Sequence, residues 1–576
     1  MQQEISILIS KATEALNNNK INEAKNIIKK ALILNNSDFE ALNLMGIIMG
    51  IQNYNSEAKT CFKKLIKLNP KNIIANFNLA RTLSVLNEDH EAIIYYKKAI
   101  ELDKNYHDAL CGYGMSLFKL NKFTEALKQY NGALNINPNS IVCLINKAIL
   151  LNKINKNKEA INCCDEVLKI NQSVYEAWHN KIIYLLELEL NEEAISCFED
   201  GKRLKIIDTT KDYKIFLKLA QVYYKLGLHF DSEINCKIAF KINPNSSEIK
   251  YNLALSQLIS GNLLEGFKNY EHRFNLPSLN LYGFKKDDPE SFYVLKYLKN
   301  LENIPKLTNL SHLRNKTLLI ANEQGYGDFI QFSRFIYKLL EYNPKQIIVE
   351  VHKNLQDFIK FQFNSSVKIV DIGFFIKDKI DFVITLPSLP FLFKTTLNSI
   401  PYSNKYFSVS RILSSKWKKI LENNKKINIG IACSGNFENK NYIRSIDLEN
   451  FESLKKYANL FLLQNSINNN DQKFLASKQS LIKFIGRDIN FFDDLAAVIQ
   501  NMDLVISIDT VFTHLAGALG KKTYLILSGY HDWRWLLNTN YSPWYDSLNI
   551  YRRKKNENNW EGVFSNIIKD LQNIKT

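Results

Sequence analysis

Three polar groups in this chain each close an apolar run, and each holds residues able to do chemistry. The first is Gln324-Gly325-Tyr326-Gly327-Asp328, after the run 317–320. The second is Ser434-Gly435-Asn436, after the run 429–433, with Arg444 following in a polar loop. The third is Asp509-Thr510-Val511-Phe512-Thr513-His514, after the run 504–508. Glycine at 325 and 327 permits close backbone approach to a ligand. Asp328 opens a helical pattern, where a carboxylate serves equally as a helix cap or as a base that takes a proton from a hydroxyl. Asp509-Thr510 opens another helical pattern. A helix N-terminus presents unpaired N–H groups and a partial positive charge, which suits a diphosphate. Thr510 and Thr513 would add hydroxyl donors. His514 stands in the first turn, touching phosphate or sugar or simply packing. Taken singly, a Gly-x-Gly turn and an Asp-Thr before a helix are weak signals. No Asp-x-Asp stands at a strand end to hold a metal, and Asp493-Asp494 reads as a capping pair.

Elements must hold these groups in place. The second half of the chain alternates short apolar runs with helical patterns. Strands are expected at 317–321, 346–351, 367–370, 382–385, 427–432, 460–464, 481–484, 504–508 and 523–527. Such alternation argues parallel sheets covered by helices. The runs fall into two sets, 315–395 and 426–576, read as two Rossmann-like halves. Doubly wound sheets bind ligands outside the carboxyl ends of their strands, where all three polar groups fall.

The first half repeats itself. Ala24, Ala58, Ala92, Ala126, Ala160 and Ala194 are 34 residues apart. Four residues after each comes Ile28, Phe62, Tyr96, Tyr130, Cys164 or Phe198, and twelve before stands Ala12, Gly46, Ala80, Gly114, Ala148 or Ile182. Small residues let two helices cross closely, and Pro70, Pro138 and Pro244 stop the second helix of their units. This is the tetratricopeptide (TPR) pattern. Residues 5–275 are therefore read as an α-solenoid of about eight TPR repeats, a superhelix with a concave interaction face. Asn78, Asn146, Asn180 and Asn252 recur on the first helix of the unit, where they either grip a peptide backbone or reflect the abundance of asparagine. Residues 276–314 break the repeat with turn signals and one helical stretch at 292–301, and read as an ordered connector.

Net charge is +17, with the lysines spread over helix faces rather than gathered into a basic–aromatic nucleic-acid module. The densest run, Arg552-Arg553-Lys554-Lys555, would attract a phosphorylated donor, an acidic acceptor or a membrane surface. Eight cysteines form no Cys-x-x-Cys pair, so no disulfide framework or zinc site is expected. The opening residues lack the basic-then-apolar order of a signal peptide, and no apolar run nears the ~20 residues of a membrane span. A soluble, cytoplasmic setting is expected.

Together the motifs resemble a known family. Residues 323–334 (Glu-Gln-Gly-Tyr-Gly-Asp-Phe-Ile-Gln-Phe-x-Arg), Ser434-Gly435-Asn436, Arg444-Ser445, Asp509-Thr510 with His514-Leu515-Ala516-Gly517, Asp532-Trp533-Arg534-Trp535 and Ser542-Pro543-Trp544-Tyr545 look like those of bacterial TPR–glycosyltransferase fusions. Their catalytic part resembles the heptosyltransferase family (glycosyltransferase family 9), of GT-B fold. The resemblance implies inverting transfer of a sugar from a nucleotide-sugar donor, with no metal and no cofactor beyond that substrate. It makes Asp328 the catalytic base, with Gln324, Gly325 and Gly327 on the acceptor side. Ser434, Gly435, Asn436, Arg444, Asp509, Thr510, Thr513 and His514 fall on the donor side. The family's tryptophan before Ser-Gly-Asn and proline after it are here Cys433 and Phe437. The expected acceptor is a protein or peptide on the concave TPR face. A lipopolysaccharide or other surface glycan, with peripheral membrane association, is the alternative acceptor, and a non-catalytic TPR adaptor is the alternative function. Nucleic acid is not an expected partner.

Overall fold

The computed structural model describes residues 1–207, 213–276, 303–373, 379–421, 426–435, 444–477, 481–529, 531–554, 557 and 559–574. Asn436 and the helix expected at 292–301 lie outside the described residues. The chain divides into two compact units, Met1–Lys211 and Asp212–Thr576.

The first unit contains twelve described helices in six pairs, from Gln2–Asn17 with Ile21–Leu34 to Tyr175–Glu187 with Asn191–Arg203. The six repeat alanines are fully buried. A Cβ built on Gly46 would come within 2.7 Å of the Phe62 ring, and one on Gly114 within 2.7 Å of Tyr130. The small residue of the first helix thus receives the aromatic of the second. Asp38 and Asn72 cap their helices by accepting from the N–H of Ala41 and Ala75. Between the two helices of successive pairs, Asn19, Asn53, Asn87, Asn121 and Asn155 adopt positive φ. The turn needs a left-handed residue, and asparagine tolerates that conformation better than other non-glycine residues. These five asparagines therefore make turns. Asn78 is buried and donates to Asn43, 3.3 Å away, and the Asn252 amide donates to the Glu248 carbonyl.

The second unit opens with two more helix pairs, Tyr213–Lys225 with His229–Ile242 and Ser247–Ile259 with Leu263–Tyr270, closed by a 3-10 turn at Glu271–Asn275. Two parallel sheets follow. β1 (Thr317–Ala321), β2 (Gln346–Glu350), β3 (Val367–Val370) and β4 (Phe382–Thr385) form the first, in the order β3-β2-β1-β4. β5 (Ile427–Ala432), β6 (Ala458–Leu462), β7 (Lys483–Phe484), β8 (Leu504–Ile508), β9 (Thr523–Leu527) and β10 (Leu548–Arg552) form the second, in the order β10-β9-β8-β5-β6-β7. In both, the chain returns past its first strand before continuing outward, which creates a switch point beside that strand. The switch lies between β1 and β4 in one sheet and between β5 and β8 in the other. Helix Tyr326–Leu340 follows β1, and helix Val511–Ala518 follows β8.

One hydrophobic core joins the last helix pair to both sheets. Phe267 of that pair meets Phe332, Trp533 and Trp544 edge-on, at ring separations of 6.4, 5.6 and 6.4 Å. No described helix is long and apolar enough to cross a membrane.

Candidate functional site

The first wall of the site is the turn between β1 and helix Tyr326–Leu340. Its left-handed residue is Gln324 (φ 70°), not a glycine. A non-glycine residue held there needs support from its surroundings. Here the Gln324 amide donates to the Tyr270 hydroxyl at 2.8 Å, and Glu323 beside it is clamped by Arg273. The guanidinium meets both carboxylate oxygens, at 2.6 and 2.8 Å, and is itself fully buried. Thr385 donates to the same carboxylate at 2.6 Å. A planar fork on a carboxylate fixes direction as well as distance, so the turn is pinned from the last helix pair. Gly325 caps the helix, and around its Cβ position the nearest atom is an Asp328 oxygen at 3.8 Å. Gly327 is different. A Cβ there would come within 2.8 Å of the His514 ring, so this glycine lets the two halves meet.

Asp328 is both cap and ion-pair partner. One oxygen accepts the Gly325 N–H at 3.3 Å, and the other accepts from Arg534 of the opposite half. Arg534 is buried. It also donates to Asp532 at 2.7 Å and to the Gln331 side chain at 2.6 Å, and it lies 4.4 Å over the Trp533 ring. Burial raises the Asp328 carboxyl above its ordinary range, and the Arg534 charge opposes the rise. Burial works in the same direction on Asp532, but the Arg534 charge and N–H outweigh it and hold Asp532 below the usual carboxylate range.

The second wall is built at β5 and β8. Arg444 donates to Asp509 at 3.1 Å. Burial pushes Asp509 up to about 6, with the Asp532 charge adding to the rise and Arg444 and Arg534 opposing it. The Trp535 indole N–H, which meets no acceptor at hydrogen-bonding geometry, still lies near enough to lower it. The field of Asp532 and Arg534 thus reaches Asp509, so the two walls form one electrostatic unit. Thr510 caps helix Val511–Ala518 without a side-chain bond to it, sharing its hydroxyl with Ser507 at 3.2 Å. Thr513 is buried and donates to the Ile508 carbonyl at 2.7 Å, which commits its proton to the strand end. His514 is buried, bonded to the Tyr545 hydroxyl at 2.9 Å and tilted against Trp535 at a ring separation of 5.3 Å. Burial and the Arg534 charge push its imidazole down to about 3, so it is neutral at ordinary pH. Ser434 is buried under Gln464, whose carbonyl accepts the Cys433 and Ser434 N–H groups at 2.8 and 3.0 Å and whose amide donates to the serine hydroxyl. Gly435 has open space at its Cβ position.

Asp328, Asp509, Arg444 and the start of helix Val511–Ala518 therefore come together, while Thr513 and His514 face inward as packing and hydrogen-bonding groups. Gln464 and Arg273 carry no role in the sequence reading, and Arg534 and Asp532 enter it only as part of a motif that either lines the nucleotide pocket or packs. Arg534 and Asp532 sit inside the Asp-Trp-Arg-Trp segment, where the surrounding tryptophans suggest packing rather than charge. Beside Gln464, a cavity of about 780 Å3 opens past the ends of β6 and β7. Ile467, Leu475 and Phe484 give it apolar walls, Asn465 and Gln472 give it amides, and Arg487 lies 4.6 Å over Phe484. Gly486 is obligatory there, since a Cβ would fall 2.1 Å from the Gln464 carbonyl oxygen. Among the described residues, no three His, Cys, Asp or Glu side chains gather as a metal site.

Residues 85–167 match the family model of anaphase-promoting complex, cyclosome, subunit 3, and residues 61–94 and 39–72 match tetratricopeptide repeat models. The N-terminal helical array is built of tetratricopeptide repeats. No curated protein matches the chain. Similar solved structures include a tetratricopeptide repeat protein from Parabacteroides merdae, at 17% identity over 44% of this chain and 99% of that one, with a TM-score of 0.35. YrrB, a TPR protein with an unusual peptide-binding site, is 24% identical over 30% of this chain and 90% of its own, with a TM-score of 0.27. MamA is 19% identical over 30% and 94%, with a TM-score of 0.27.

Proposed function

We propose that the α/β part is a glycosyltransferase of GT-B type, moving a sugar from a nucleotide-sugar donor to an acceptor, with inversion. The supporting observation is that Asp328 and the Asp509-Thr510 helix start stand at the switch points of two parallel sheets, joined through Arg534 and Asp532. In this reading the donor diphosphate rests on the N–H groups at Thr510 and Val511, with Arg444 and Ser434 beside it. The nucleobase enters the cavity past β6 and β7, where an apolar ring finds the Phe484 wall and its polar edge finds Asn465 and Gln472. The acceptor hydroxyl lies at Asp328. Its oxygen bonds to the anomeric carbon as the bond from that carbon to the diphosphate oxygen breaks. The proton passes to Asp328, and the electron pair leaves with the nucleoside diphosphate. A carboxyl raised by burial suits this task, since a base works best near the operating pH. The TPR array supplies a long face for a protein or peptide acceptor.

Calorimetric titration with ADP, GDP and UDP tests the donor side. At least one is expected to bind, and Arg444→Ala to weaken it by about 10–100-fold, the worth of a charge-assisted hydrogen bond. If none binds, the chain is a TPR adaptor with a non-catalytic α/β part.

A further inference from the structure

Both oxygens of the Asp328 carboxylate are engaged: the Gly325 N–H meets one and Arg534 the other. Arg534 is anchored independently of Asp328, through Asp532 at 2.7 Å, Gln331 at 2.6 Å and the Trp533 face. Its Nε also crosses to the first half, at Gln331, but only the Nη2 arm meets a charged group there. The charge of this same arginine is felt at Asp509, beside the helix start that would hold a diphosphate. Asp509 is paired with Arg444 there and Asp532 with Arg534, so an entering anion must draw on an arginine that is already paired.

The geometry points to Arg534 as a shared cation that passes from Asp328 to the donor diphosphate, so that donor binding unmasks the base. This rests on the transferase reading above. Without donor, Arg534 compensates the Asp328 charge and lowers its power to take a proton from an acceptor hydroxyl. With donor, a phosphate oxygen takes the Nη2 hydrogen bond while Asp532 and Gln331 keep the guanidinium in place. Asp328 is released with its charge uncompensated and its basicity raised. Binding is then ordered, donor before acceptor, and the base is not exposed until there is a sugar to transfer. Two anions compete for one cation, so Asp328 and the diphosphate are coupled through Arg534, and removing Arg534 removes the coupling.

A double-mutant cycle reads this coupling. Binding of ADP, GDP and UDP is measured by titration calorimetry for wild type, Asp328→Asn, Arg534→Gln and the double variant, with circular dichroism and thermal melts on each. Arg534→Lys supplies a charge-retaining control should Arg534→Gln fold poorly. Asp328→Asn is expected to tighten the bound nucleotide by about 5-fold or more. In the Arg534→Gln background that gain should vanish, because the cation no longer needs releasing. An equal gain in both backgrounds would mean that Asp328 merely repels the nucleotide through space, and would overturn the hand-over while leaving the transferase reading intact. No gain from Asp328→Asn would overturn it likewise. If none of the three nucleotides binds wild type, the hand-over falls together with the transferase reading.

Discussion

Two titratable residues in the site carry opposite pH signatures. The His514 imidazole lies below its ordinary 6.5, at about 3, so the unfolded chain takes up the proton first. Stability from this residue is therefore present above 6.5 and lost as pH falls through the window down to about 3. Asp509 runs the other way. Raised from 3.8 to about 6, it keeps its proton longer in the fold, so its contribution is present below 3.8 and lost as pH rises through 6. Asp509→Asn should remove the second effect. The melting temperature of this variant minus that of wild type is expected to rise between about pH 4 and pH 7, and a pH-independent difference would contradict the assignment. Imidazole NMR should show no titration of His514 between about pH 5 and pH 8.

At the scale of elements, the two glycines of the turn have different duties, which substitution separates. Gly327→Ala drives a methyl toward the His514 ring and should cost about 1–3 kcal/mol, the range for overpacking. Gly325→Ala places a methyl in ordinary contact with an Asp328 oxygen 3.8 Å away, at a cap position, and should cost under about 1 kcal/mol. Thermal unfolding of both variants checks the contrast, and equal losses would contradict it. The strands were largely legible, because each is a short apolar run followed by a helix, a pattern that parallel sheets impose. β6 shows where run and strand part company. The apolar residues continue through Leu463, but the strand ends at Leu462 and delivers Gln464 to the site. β10 is not legible, since Asn549 and Arg552 dilute its apolar pattern and a basic run follows directly. Helix starts at Tyr326 and Val511 were legible from the turn residues before them. Arg534 and Arg273 were not, because their partners lie 206 and 50 residues away and leave no local spacing to read.

At the scale of the molecule, the repeat period announces eight similar helix pairs, yet the chain divides after the sixth. Periodicity records how a repeat is built and not which core it joins. The final pair sends Phe267 and Tyr270 into the core of the sheets and Arg273 onto Glu323. A chain comprising 212–576 is therefore expected to fold, whereas one starting at 276 strands a buried carboxylate at a cost of about 3–5 kcal/mol and uncovers the aromatic core. Expression, circular dichroism and melting of the two fragments decide this, and a stable fragment from 276 would refute it. The central proposal, that Asp328 deprotonates an acceptor opposite a bound nucleotide sugar, is tested most directly by turnover. Release of nucleoside diphosphate from a panel of nucleotide sugars should be followed in the full chain, for wild type beside Asp328→Asn. The expected result is turnover of at least one donor, falling by about 10²–10⁴-fold in Asp328→Asn while nucleotide binding persists. Full activity in Asp328→Asn, or no turnover of any donor, would contradict it.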